Sequence, residues 1–258
     1  MRSRGPAGGV LLAALVLLAA AGPAAGGRDL DLGAFRSAPS WAHWFGTDGA
    51  GRDVFALTAE GLRRSLVIGL GAALLATGLA AGAGAFAGYL GGRCDRLLMA
   101  VADVLVVIPA VLLAAVLAAS VGGRTPLLVV VLALFLWPVT ARAVRARCRS
   151  LRAAEFVRAA ECAGASPVRV VARHLLPNLV PLLVADATLN VGFAVLAESG
   201  LSYLGFGVRE PGTSLGTLIA GGTASATVYP WLFLPAALLL SALILACTLL
   251  GDALQEAV

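Results

Sequence analysis

Between Leu66 and Leu90, twenty-five consecutive residues carry no charged side chain. About 20 apolar residues in a helix cross the ~30 Å hydrocarbon core of a bilayer, so this run decides the environment of the chain. Five further apolar segments accompany it: Val10 to Ala25, Leu97 to Val121, about Leu127 to Val144, about Asn178 to Leu204, and Trp231 to Leu250. The 258 residues are 60% hydrophobic and only 13% charged, too little charge to cover a soluble domain of that length. The expected fold class is an all-α membrane protein with six transmembrane helices.

The arginines orient it. Loops on the cytoplasmic side of membrane proteins carry an excess of Lys and Arg near the span ends. With the N-terminus inside, the cytoplasmic pieces hold Arg2, Arg4, Arg93, Arg96 and the eight arginines from Arg142 to Arg173, twelve in all. The opposite side holds seven, and its largest block is offset by Asp29, Asp31, Asp48, Asp53 and Glu60. Six spans with both termini inside is the consistent solution. The first segment has a rival reading: a basic start, a short apolar stretch and the small residues Ala21-Gly22-Pro23-Ala24-Ala25 also describe a cleavable signal peptide. The chain divides into 1–27, a first transmembrane segment; 28–63, an extracytoplasmic elbow; and 64–254, a transmembrane core.

Other classes recede on composition. All 19 basic residues are Arg, so Arg identity reflects coding bias more than function, and the net charge of +5 serves topology rather than nucleic acid. Cys94, Cys148, Cys162 and Cys247 form no CxxC pair and have no His at ligand spacing, which points to free thiols and no metal site. The second span contains Gly78/Gly82 and Gly84/Gly88, both at GxxxG spacing. Small residues let helices approach closely in lipid, and packing within the bundle is the expected use.

Residues 142–177 form the one substantial polar stretch on the cytoplasmic side. A short helix is expected from Leu151 to Ala163, with Gly164 as its left-handed C-terminal cap. Ser166 then reads as an N-cap with Pro167 at the first helical position, and Pro177 opens the fifth span. Phe156, Ala159, Ala160 and Ala163 give the first helix an apolar but mostly small face. Such a face fits a groove on another protein, or a basic helix lying on anionic lipid.

The run Glu155-Phe156-Val157-Arg158-Ala159-Ala160-Glu161-Cys162-Ala163-Gly164-Ala165-Ser166, followed by Arg173-His174-Leu175-Leu176-Pro177-Asn178, resembles the EAA loop of ATP-binding-cassette importer permeases, in particular the dipeptide/oligopeptide/nickel branch. Gly46-Thr47-Asp48 with Gly51-Arg52-Asp53, Gly88-Tyr89-Leu90-Gly91-Gly92, Asp103-Val104-Leu105 with Ile108-Pro109, Ala197-Glu198-Ser199-Gly200-Leu201-Ser202 and Leu249-Leu250-Gly251-Asp252 resemble further segments of that branch, in order. The resemblance implies a type I importer permease fold in the bacterial cytoplasmic (inner) membrane, carrying peptide-like or nickel-type solutes. It makes the loop a coupling helix for an ATPase, with Glu155, Phe156, Arg158, Ala159, Ala160, Glu161, Gly164 and Pro177 as its residues. It implies a second permease subunit, two ATPase subunits that hold ATP and Mg, and an extracytoplasmic solute-binding protein; no cofactor belongs to this chain. One departure stands out: Arg158 occupies the position of the Glu in the EAA triplet.

Asp103, Asp186, Asn190 and Glu198 fall inside apolar segments, where polar groups are costly. They could line a solute path, relay protons in a stand-alone secondary transporter, or hydrogen-bond helices together, and the last is the favoured reading. A membrane enzyme is disfavoured, since the spans hold no Ser/His pair or metal-ligand spacing. Nothing resembles a P-loop; the chain has no Lys.

Overall fold

The computed structural model describes residues 4–25, 33–109, 112, 114–117, 124–209 and 211–256. Its helices are α1 (Arg4–Ala25), α2 (Val54–Leu90), α3 (Gly92–Val107), α4 (Thr125–Arg152), α5 (Glu155–Cys162), α6 (Pro167–Val170), α7 (Leu176–Tyr203), α8 (Leu215–Thr223) and α9 (Leu234–Gln255). Four helical stretches among the described residues are long and apolar enough to cross a membrane: Val54–Leu90, Thr125–Arg152, Pro167–Tyr203 and Leu234–Gln255, with a shorter apolar run from Gly5 to Ala20 in α1. The expected third span is described only in part. Helix α3 stops at Val107 because Ile108 turns extended ahead of Pro109, as a residue before proline must. Much of 110–123 lies outside the described residues.

Helix α2 is the axis of the bundle and packs along α4, α7 and α1. Its 37 residues make a rod of about 55 Å at 1.5 Å per residue. It starts at Val54, earlier than the expected apolar run at Leu66, so its first turns carry Glu60, Arg63 and Arg64. The start is fixed by Asp53, whose carboxylate accepts from Ala56 N at 3.1 Å and lies 2.8 Å from His43 Nδ1. The elbow turns at Asp48, which accepts from the backbone of Ala50 and Arg52 at 2.8 and 2.9 Å and pairs with Arg52 Nε at 2.7 Å.

The two GxxxG pairs part company. A Cβ on Gly84 would lie 2.6 Å from Ala141 O, and one on Gly88 2.7 Å from Arg145 O, so α4 presses on α2 backbone to backbone there. A Cβ on Gly78 or Gly82 would meet nothing within 4 Å. Among the described residues, only the second pair packs one helix on another.

Proline placement corrects one boundary. Pro177 does not open a separate span: α6, a π-helical turn over Val171–Leu175 and α7 run on as one helical stretch from Pro167 to Tyr203. Leu176 N donates to Val171 O, five residues back. The widened turn moves the Arg173 carbonyl off the Pro177 ring, which would otherwise collide with it.

Candidate functional site

The loop joining α4 to α7 folds back against its own bundle. Val157 of α5 is fully buried with Val144, Cys148, Val170, Val171, Leu175 and Leu179, and Ala160 and Ala165 pack at the edge of the same cluster. After Cys162 the chain closes a Schellman motif. Gly164 sits at φ 77°, its N–H donates to Glu161 O at 2.9 Å, and Ala165 N donates to Ala160 O at 3.0 Å. Gly164 and Pro167 therefore sit where the sequence puts them. The expected helix start does not hold: α4 continues to Arg152, and Ala153–Ala154 separate it from α5. Ser166 has extended N-cap backbone, but its hydroxyl makes no capping bond.

The outward face differs from the expected one. With Val157 pointing inward, the rotation of about 100° per residue turns Glu155, Ala159 and Cys162 directly outward, flanked by Arg158 and Phe156. All five are exposed. Ala160 belongs to the buried side instead. Glu161 is tied to the bundle: Tyr89 Oη, at the end of α2, donates to its Oε1 at 2.8 Å, and the Arg152 guanidinium lies over the Tyr89 ring, 5.8 Å from its centroid.

A cluster that the sequence reading missed stands beside the loop. Asp95, buried at the start of α3, takes both Nε and Nη2 of Arg145 and, at 2.5 Å, Nη2 of Arg149. One turn-pair further along, Asp103 Oδ1 receives Arg142 Nη2 at 2.6 Å. The guanidinium of Arg145 beside it holds the Asp95 carboxyl below its ordinary value of 3.8, against the opposing effect of burial. The signal was present: Arg142, Arg145 and Arg149 are spaced three and four apart and share one helix face. Their number is also what a cytoplasmic loop requires, and nothing local in the sequence pairs them with Asp95.

The polar residues expected within the spans do not converge. Glu198 is 1% exposed and accepts from Ser65 Oγ at 2.9 Å and Ser202 Oγ at 2.6 Å. Ser65 in turn accepts from Leu215 N at 3.3 Å, and Ser202 from Val208 N at 3.0 Å. Glu198 thus pins α2, α7 and the start of α8. Asn190 Nδ2 donates to Thr140 Oγ1 at 3.1 Å, joining α7 to α4. Asp103 is in the α3–α4 seam, and Asp186 Oδ2 is buried without a hydrogen-bond partner among the described residues. Among the described residues no hydrogen bond links any two of the four.

Fold and loop together define a class: a polytopic helical membrane subunit that presents a short folded helix at one end of its bundle. The family model for the binding-protein-dependent transport system inner membrane component matches residues 80–258, and the chain belongs to that family. It is 45% identical over 231 residues to the oligopeptide transport system permease protein OppC of Mycobacterium tuberculosis (strain ATCC 25618 / H37Rv), covering 89% of this chain and 79% of that one. A putative peptide permease protein of Brucella suis biovar 1 is 44% identical over 235 residues, 89% of this chain and 77% of its own. OppC of Bacillus subtilis (strain 168) is 36% identical over 220 residues, 85% and 72%. The chain is a transport permease subunit and not an enzyme, and a multi-pass protein of the cytoplasmic membrane.

Proposed function

We propose that the chain carries peptides across the cytoplasmic membrane as one of two permease subunits, and that α5 is the helix through which separate ATPase subunits drive it. The single observation that supports this most is the construction of α5. Val157 is buried in the bundle and the Glu161 carboxylate is held by Tyr89, leaving the small stripe around Ala159, flanked by Phe156 and Arg158, on an exposed face. A helix whose backbone can be approached closely suits a groove on a partner protein.

ATP and Mg belong to the ATPase subunits, and an extracytoplasmic binding protein delivers the solute. Peptide as the solute class follows from the names of the relatives. Six spans with both termini inside remains the orientation that the arginines favour. Binding of ATP would draw the docked helices together and shift the bundle between two access states.

The test is uptake of a labelled oligopeptide by vesicles holding the assembled transporter. Wild type takes it up only with ATP and ATPase subunits present. Ala159→Arg places a long side chain at the centre of the docking stripe and reduces uptake at least about tenfold, roughly 1.4 kcal/mol or more. Uptake by the permease chains alone along an ion gradient would instead establish a secondary transporter.

A further inference from the structure

Arg158 lies on the exposed flank of α5, and its own chain offers it no carboxylate: among the described residues no ion pair joins it to an acid. Glu155 and Glu161 are three residues away on either side, at a spacing that permits pairing on a helix. Neither takes it. Glu161 is turned to Tyr89, and Glu155 shares the outward stripe without reaching Arg158. The surroundings add to the imbalance: Arg147, Arg152, Arg169 and Arg173 are also exposed at this end of the bundle.

We infer that the ATPase groove receiving α5 presents a carboxylate opposite Arg158, so that docking is held by a cross-subunit ion pair with the cation on the permease side. This rests on the coupling role proposed above and names the chemistry of its partner. An unpaired guanidinium beside a close-packed stripe is well suited to bidentate binding of a carboxylate, which fixes orientation as well as strength. Charges on the flank of an interface act mainly on association and on its salt dependence.

Anionic lipid is the other acceptor that a surface Arg can find. The shape of α5 argues against it. A helix lying in the headgroup layer buries a broad apolar face in the acyl boundary, whereas α5 turns Val157 into its own bundle and leaves Phe156 as the single large apolar side chain on its exposed side, beside Glu155, Ala159 and Cys162.

The test measures retention of the ATPase subunits on the full transporter across a salt series, with thermal stability recorded for each variant. Because Arg158 is exposed, Arg158→Glu and Arg158→Lys are expected to fold as wild type. Arg158→Glu lowers retention at least about tenfold at low salt and flattens or reverses its salt dependence, while Arg158→Lys, which keeps the charge and loses the bidentate fork, is weakened less than Arg158→Glu and keeps the wild-type salt slope. Replacing the facing groove carboxylate of the ATPase by Arg restores the Arg158→Glu complex. Wild-type retention and salt slope in Arg158→Glu, with Ala159→Arg still losing the ATPase, would overturn the ion pair and leave the docking reading standing. Retention in both variants would overturn the docking reading itself. An effect of Arg158→Glu confined to binding of phosphatidylglycerol vesicles, with ATPase retention unchanged, would assign Arg158 to lipid and also overturn the proposal.

Discussion

Tyr89, the penultimate residue of α2, donates its hydroxyl to Glu161 of α5 across 2.8 Å. The 37-residue helix α2 is thereby joined directly to the short helix that faces outward, so a displacement of either is felt by the other. Tyr89→Phe removes the donor and keeps the ring. The loss is about 1 kcal/mol, the usual net worth of one such hydrogen bond. Amide exchange over residues 155–165 should accelerate about fivefold, and unchanged exchange would show that the bond does not hold the loop.

Asp95 supports the α3–α4 seam as a carboxylate between two guanidinium groups. Its folded pKa lies below the ordinary 3.8, chiefly through the hydrogen bond from Arg145. A depressed carboxylate pKa contributes stability that is fully present above the unfolded value and lost as pH falls through the folded one. The purified chain should therefore lose this contribution only in strongly acid solution, below the ordinary aspartate range. Asp95→Asn should cost about 1–3 kcal/mol at neutral pH and remove part of that acid limb in thermal melts. A variant that melts like wild type at neutral pH would contradict the seam.

The glycines of α2 give an internal control. Gly84→Val puts a side chain into the Ala141 carbonyl and the Val144 side chain, and overpacking of this kind costs about 1–3 kcal/mol or more. Gly82→Ala meets nothing within 4 Å and should be neutral or gain up to about 1 kcal/mol from helix propensity. Melting in detergent separates the two. Equal loss from Gly82→Ala would place a second contact surface on that face.

Glu198 separates a structural pin from a proton relay. Glu198→Ala strands the Ser65 and Ser202 hydroxyls and opens a cavity, at a cost of about 2–4 kcal/mol. Glu198→Gln keeps an acceptor oxygen and the side-chain volume but cannot exchange a proton. ATP-driven uptake by Glu198→Gln should stay within about threefold of wild type. Abolished uptake in a variant that folds normally would revive the relay.

The sequence carried the fold class and the loop because both rest on local signals: uninterrupted apolar runs, a Gly that accepts positive φ, and a Pro at a helix start. It did not carry what depends on rotation about a helix axis. Ala160 looks as suitable for docking as Ala159 until the burial of Val157 fixes which side faces in. Gly78/Gly82 and Gly84/Gly88 have the same spacing, and only the position of α4 distinguishes them. Helix length was also hidden, since Glu60, Arg63 and Arg64 mark the edge of the apolar run but not the start of α2 at Val54. The Asp95 cluster has no local signature because its partners are fifty and more residues away, and pairing over such separations is a property of packing.

The coupling role of α5 is tested most directly at Cys162, which lies exposed on the outward stripe while Cys148 and Cys247 are buried. With Cys94→Ser removing the half-buried thiol, maleimide labelling reports on that face alone. Labelling of Cys162 should slow at least about tenfold when the ATPase subunits are assembled on the permease, as water and reagent are excluded from an interface core, and should recover when they are stripped away. Equal labelling rates with and without the ATPase would contradict docking at α5.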